Sequence, residues 1–135
     1  MIEELSTEVY WLVLTILMTA SMWVPYIVNR MIEMGIIPAF MDPYGITEAK
    51  AAWANRMMLA HVNAVENLVL FAPLVILIAM FNAGTASTEV AVQVYFFARL
   101  AHFLLFTFAT PLFRIVSFLI GFGAEMVLVF ALISG

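Results

Sequence analysis

The sequence has no cysteine. That removes disulfides, thiolate nucleophiles and cysteine-based metal sites together. Any thiol chemistry must use a thiol carried by a ligand. Charge is scarce as well. Only 10% of the 135 residues are charged, and net charge is −4. A soluble domain carries about 25% charged residues. The five Lys and Arg residues are scattered, so no basic patch exists for nucleic acid or an anionic surface. No glycine-rich phosphate loop occurs. The two histidines lie on separate predicted helices without a close acidic cluster, so no metal site is expected. Ser117 has no base visible in the sequence, so a Ser-His-Asp triad is not expected either.

Apolar sequence fills the space. The chain is 66% hydrophobic, with a mean hydropathy of +1.11. This composition predicts an integral, multi-pass membrane protein surrounded by lipid. The acidic start, MIEELSTEVYW, lacks the positive region of a cleavable signal. The first apolar segment is therefore expected to remain as a span.

A spanning helix needs about 20 mostly apolar residues. Four windows qualify, at roughly 8–30, 49–81, 88–108 and 112–133. The expected fold class is all-α, a four-helix up-down bundle, with residues 1–135 as one transmembrane domain. Residues 31–48 read as a connection, with a turn at DPYG (42–45) and a cap for the second helix at Thr47. Ser87 or Thr88 is expected to cap the third helix. Pro25 and Pro73 lie inside spans and are expected to kink them. Arg30, Lys50, Arg56 and Arg114 fall at the first and third connections, whereas Glu3, Glu4, Glu8 and Glu89 fall at the other end. The positive-inside rule places those connections in the cytoplasm and both termini outside. The compact chain and short termini suggest a bacterial inner membrane.

Several polar residues interrupt the spans. At about 100° per residue, Arg56, Asn63 and Asn67 fall on one stripe of the second helix. Glu66 lies further round, and His61 points nearly the opposite way. Arg99 lies near the middle of the third helix, too deep to snorkel easily to water. His102 follows three residues later, on nearly the same face, and reads as a buried, hydrogen-bonded histidine. Glu125, eleven residues beyond Arg114, reaches a depth near that of Arg99. It is the expected ionic partner of Arg99, with Glu66 as the competitor. Gly121 and Gly123 allow another backbone close approach. The expected constellation is Arg56, Asn63, Glu66, Arg99 and Arg114, open to the cytoplasmic side. Arginine forks suit carboxylates, and the acid suits an ammonium group. A small zwitterionic peptide with extra carboxylates would match.

Three segments carry a resemblance. RMMLAHVNAVEN (56–67), ARLAH (98–102) and TPLFRIVSFLIGFG (110–123) resemble the MAPEG family, the membrane-associated proteins of eicosanoid and glutathione metabolism. The similarity runs from about residue 50 to the C-terminus and is closest in motif to microsomal glutathione transferases. It implies a homotrimer that binds glutathione near the cytoplasmic side, between subunits. It implies that Arg56, Asn63, Glu66, Asn67, Arg99 and His102 contribute to glutathione binding. By the same likeness, Arg114 would stabilise the glutathione thiolate and so act catalytically. Lipophilic small molecules would enter from the bilayer. Val62, Leu70, Phe106 and Ile115 depart from the pattern and argue against prostaglandin synthase activity. Glu125 has no counterpart in it. Non-catalytic members also exist, so the alternative is a membrane protein that binds a lipid or a partner subunit.

Overall fold

The computed structural model describes residues 4–42 and 48–135. The turn at 42–45 and the cap at Thr47 fall wholly or partly outside them, as does Glu3. Among the described residues 84% are helical and none is in a strand, so backbone polar groups are satisfied within each segment, as lipid demands. Six helices follow in order: α1 (Thr7–Ser21), α2 (Trp23–Met34), α3 (Ile36–Met41), α4 (Ala52–Met80), α5 (Ala86–Thr107) and α6 (Pro111–Ile133). Four stretches are long and apolar enough to cross a membrane: Thr7–Met34, Ala52–Met80, Ala86–Thr107 and Pro111–Ile133. The chain is an integral, multi-pass membrane protein.

The first span breaks at Met22. Pro25 has no N–H for the carbonyl of Ser21, and its ring crowds that carbonyl. Met22 instead donates to the Thr19 carbonyl. Thr15, Thr19 and Ser21 return their hydroxyls to the carbonyls four residues back, each at 2.8 Å, a habit that bends helices. By contrast α4 runs unbroken through Pro73. The short α3 lies in the stretch expected to be loop. It starts at Gly35, whose φ of 85° ends α2, and Pro38 sits in its first turn, where a missing N–H costs nothing.

Distant residues seat the helix ends. No side chain of its own caps α4. Glu33 of α2 accepts from the backbone N–H of Lys50 and Ala51, at 2.8 and 3.0 Å. The cap of α5 is Thr85 rather than Ser87 or Thr88. Thr88 supplies the reciprocal half of a capping box, and its hydroxyl lies 2.7 Å from the buried Glu8 carboxylate. Gly84 leaves the space, since a Cβ there would stand 2.9 Å from Glu8 Oε1. Helices α4 and α5 end alike. Asn82 (φ 52°) and Ala109 (φ 58°) are left-handed. Ala83 donates to Ile78 O and Thr110 to Leu105 O, both at 2.9 Å. These are Schellman closures.

Two apolar clusters fill the bundle. Leu12, Phe71, Val75, Ile78, Val92, Tyr95, Ala124 and Leu128 form the one nearer the chain ends. Within it Phe71 stacks on Tyr95, with ring centroids 3.8 Å apart. Met22, Met57, Ala60, Ala64 and Phe103 form the other. The alanines let α4 approach its neighbours closely, which favours packing where lipid offers no hydrophobic drive. The spacing 57, 60, 64, 71, 75, 78 is one face of α4.

Candidate functional site

Helix α5 turns Tyr95, Arg99 and His102 inward. The spacing of four and three residues puts them on one face, and all are buried. Arg99 is only 2% exposed. Its Nη2 donates to the Asn63 amide oxygen of α4. Asn67, one turn along, donates to the Asn63 carbonyl at 2.8 Å and also reaches its side-chain oxygen. The amide of Asn63 is thus oriented by Asn67 and spent on Arg99. Gly121 of α6 admits the arginine stem, because a Cβ there would lie 3.4 Å from Arg99 Cδ.

The expected Arg99–Glu125 ion pair does not form. Glu125 is buried, and its Oε1 has no hydrogen-bond partner. The level of α6 that meets Arg99 is Gly121, a turn short of Glu125, and the guanidinium runs toward α4. Nor is Glu66 the partner, since it is exposed on the outer face of α4. An amide rather than a carboxylate meets Arg99. His102 is buried as expected, but its Nδ1 has no partner. Its ring lies against Phe106 and Phe118, with centroids 5.8 and 6.0 Å away.

Toward the end where α4 and α6 begin, Arg56 Nε donates to the Thr107 carbonyl at 2.8 Å. That contact ties α4 to the last turn of α5. The Arg114 guanidinium lies over the Phe106 ring, 4.6 Å from its centroid, within cation–π range. Ser117, one turn on, donates to the Arg114 carbonyl at 2.9 Å. His61 faces away from this group and meets the Tyr26 hydroxyl at 2.7 Å.

The structure therefore gathers Arg56, Asn63, Asn67, Arg99, His102 and Arg114 along the inner faces of α4, α5 and α6, and leaves Glu66 outside. Arg56, Arg99 and Arg114 make no ion pair among the described residues; Arg30 and Asp42 do, at 3.1 Å. Among the described residues no group of three or more His, Asp or Glu could hold a metal ion. An open cleft of about 800 Å³ lies at the opposite end beside Asn82, Thr85 and Phe130, and no charged side chain lines it. Its chemistry does not match an anion, so the site is taken to be the arginine group. Sequence reasoning passed over Tyr95, although its spacing from Arg99 and His102 was the available signal.

A match to the MAPEG family covers residues 9–134. The chain belongs to the MAPEG family. No curated protein and no solved structure matches it. As a MAPEG protein it is a membrane protein of the family concerned with eicosanoid and glutathione metabolism. The match takes in α1, which the three motifs alone did not reach.

Proposed function

We propose that the chain is a membrane-bound glutathione transferase or peroxidase acting on lipophilic electrophiles. The observation that carries this reading is the set of arginines without carboxylate partners among the described residues. A guanidinium within a span is costly and is retained where it has work or a partner. Three such cations facing inward favour a ligand that brings its own carboxylates. Glutathione brings two, with an ammonium group and the thiol that this chain lacks.

In this reading Arg56, Asn63, Asn67, Arg99 and His102 hold the peptide. Arg114 lies beside the thiol, where a cation favours the thiolate and so raises the fraction of nucleophile. The electrophile approaches along the apolar groove between α5 and α6. That groove of about 510 Å³ is lined by Phe97, Ala98, Ala101, Ser117 and Ile120, and Ser117 is one turn from Arg114. Reaction joins the thiolate sulfur to the electrophilic carbon, and the leaving group departs with its electron pair. Glu66 faces outward at membrane depth, which supports a second copy against that face of α4. A homotrimer with the site between subunits, opening to the cytoplasm, would use Glu66 to receive the ligand's ammonium group.

One observation favours a second reading. Arg114 lies on Phe106 and Arg56 is bonded to Thr107, so both have structural uses. A non-catalytic MAPEG protein binding a lipid or a partner subunit would need no more. Thiolate absorbance on adding glutathione to purified protein separates the two. The transferase reading predicts a signal in the wild type that Arg114→Ala removes. No signal in the wild type refutes it.

A further inference from the structure

Glu125 is a buried acid of α6 that the proposed chemistry leaves unused. It sits one turn beyond Gly121 on α6, 2% exposed, with Oε1 unpartnered. Among the described residues, the other atoms in the same condition are Tyr95 Oη, Arg99 Nε and His102 Nδ1. All four belong to side chains between 1% and 4% exposed, on the facing sides of α5 and α6. Buried polar atoms are almost always hydrogen-bonded, so four orphans together are an unusual concentration.

The charges explain their grouping. The helices packed against α6 are α5 and α4. Helix α5 presents Tyr95, Arg99 and His102. Helix α4 presents the neutral Asn63, its own acid Glu66 being outside. The other buried acid, Glu8, is bonded to Thr88 at the far end. On α6 the nearest cation is Arg114, at its opposite end. Among the described residues, Arg99 and Glu125 are thus the one guanidinium and the one carboxylate of this buried cluster, and Gly121, one turn before Glu125, lies against the Arg99 stem. They are not in contact, so Arg99 keeps a free edge at Nε.

We propose that Glu125 is the resident counter-ion of Arg99, and that seating a ligand carboxylate on Arg99 is coupled to uptake of one proton by Glu125. The inference rests on the reading of Arg99 as a carboxylate-binding residue. Without a ligand, a cluster of one guanidinium and one carboxylate is neutral. Adding a second carboxylate would leave a net negative charge in a medium that solvates it poorly. Protonating Glu125 restores neutrality. The proton comes from the aqueous phase, and no covalent bond to the ligand forms or breaks. A protonated Glu125 also becomes a donor, for which the Tyr95 oxygen is a fitting acceptor.

The sign follows by linkage. The bound state holds one more proton than the free state wherever Glu125 is ionised in the free protein. Affinity therefore falls as pH rises above that group's titration, by about tenfold per pH unit. Below it, affinity is flat. S-methylglutathione is the probe, because its sulfur has no proton to release. Calorimetric titrations in buffers of different ionisation enthalpy count protons per ligand bound. At pH values above the titration of Glu125, the wild type should take up about one proton per bound S-methylglutathione. E125Q should bind with no uptake, and without the pH dependence of the wild type. Binding to the wild type that is proton-neutral at every pH where the protein stays folded overturns the coupling alone and leaves the ligand reading standing. Equal uptake by E125Q overturns the role of Glu125. No binding to either protein refutes the ligand reading, and the coupling falls with it. The wild-type proton count decides the matter even where a variant does not fold.

Discussion

Replacing Asn63 by alanine should cost more stability than a typical polar contact in a membrane. Hydrogen bonds between membrane helices average about 0.6 kcal/mol and reach about 1.7. Those to charged groups contribute about 1.5–3 kcal/mol. The Asn63 oxygen accepts from a guanidinium only 2% exposed, and among the described residues it is the one hydrogen-bond partner of that cation. The charged case therefore wins, and Asn63→Ala should destabilise by about 2 kcal/mol. Reversible unfolding in mixed micelles measures it. The same exchange in an Arg99→Met background should cost little, because no buried cation is left wanting. A coupling of at least 1 kcal/mol is expected between the two sites, within the range found for contacting pairs. Additive costs, or a loss under about 0.5 kcal/mol in the wild type, would refute the view that Asn63 holds Arg99 in place.

Ala109→Gly should raise stability by about 1 kcal/mol, measured in the same unfolding assay, because Ala109 closes α5 at φ 58° where glycine has no Cβ penalty. Gly84→Ala should lower stability by crowding Glu8, and the loss should shrink in a Glu8→Ala background; an equal loss in both backgrounds would contradict the contact. Glu33→Ala should speed hydrogen exchange at the amides of Lys50 and Ala51, which donate to that carboxylate, while amides in the middle of α4 keep their protection.

Much of the fold was legible because lipid constrains it. Four long apolar stretches have few alternatives to four spans, and the expected limits fall within three residues of those observed for α4, α5 and α6. The break at Met22 follows from Pro25, whose signal is local. Helix α3 was not legible, since its six residues include Pro38, sit between Gly35 and Pro43 in the sequence, and show no periodicity. The burial of Glu8 was hidden for a different reason. An acid near a span's end reads as a solvated charge, and the approach of Gly84, before α5, and of Thr88, in its first turn, makes it a buried one.

The inward arginines were legible by their cost. Their partners were not. Depth along each helix put Glu125 near Arg99, yet the choice between neighbours depends on how α4 and α6 are rotated about α5. A single-helix projection holds no such information. The guanidinium turned to Asn63, which lies across from it on α4, and left Glu125 a turn away. The same limit applies to Glu66, whose outward direction depends on the packing of α4 rather than on its own sequence.

The central claim is that the unpaired arginines grip a small anion. Equilibrium binding of glutathione to the purified protein in lipid nanodiscs tests it most directly, with Arg99→Met and Arg114→Met alongside. The account predicts a saturable site in the wild type that each exchange weakens at least tenfold. Absence of binding in the wild type, or binding that both exchanges leave unchanged, would contradict it.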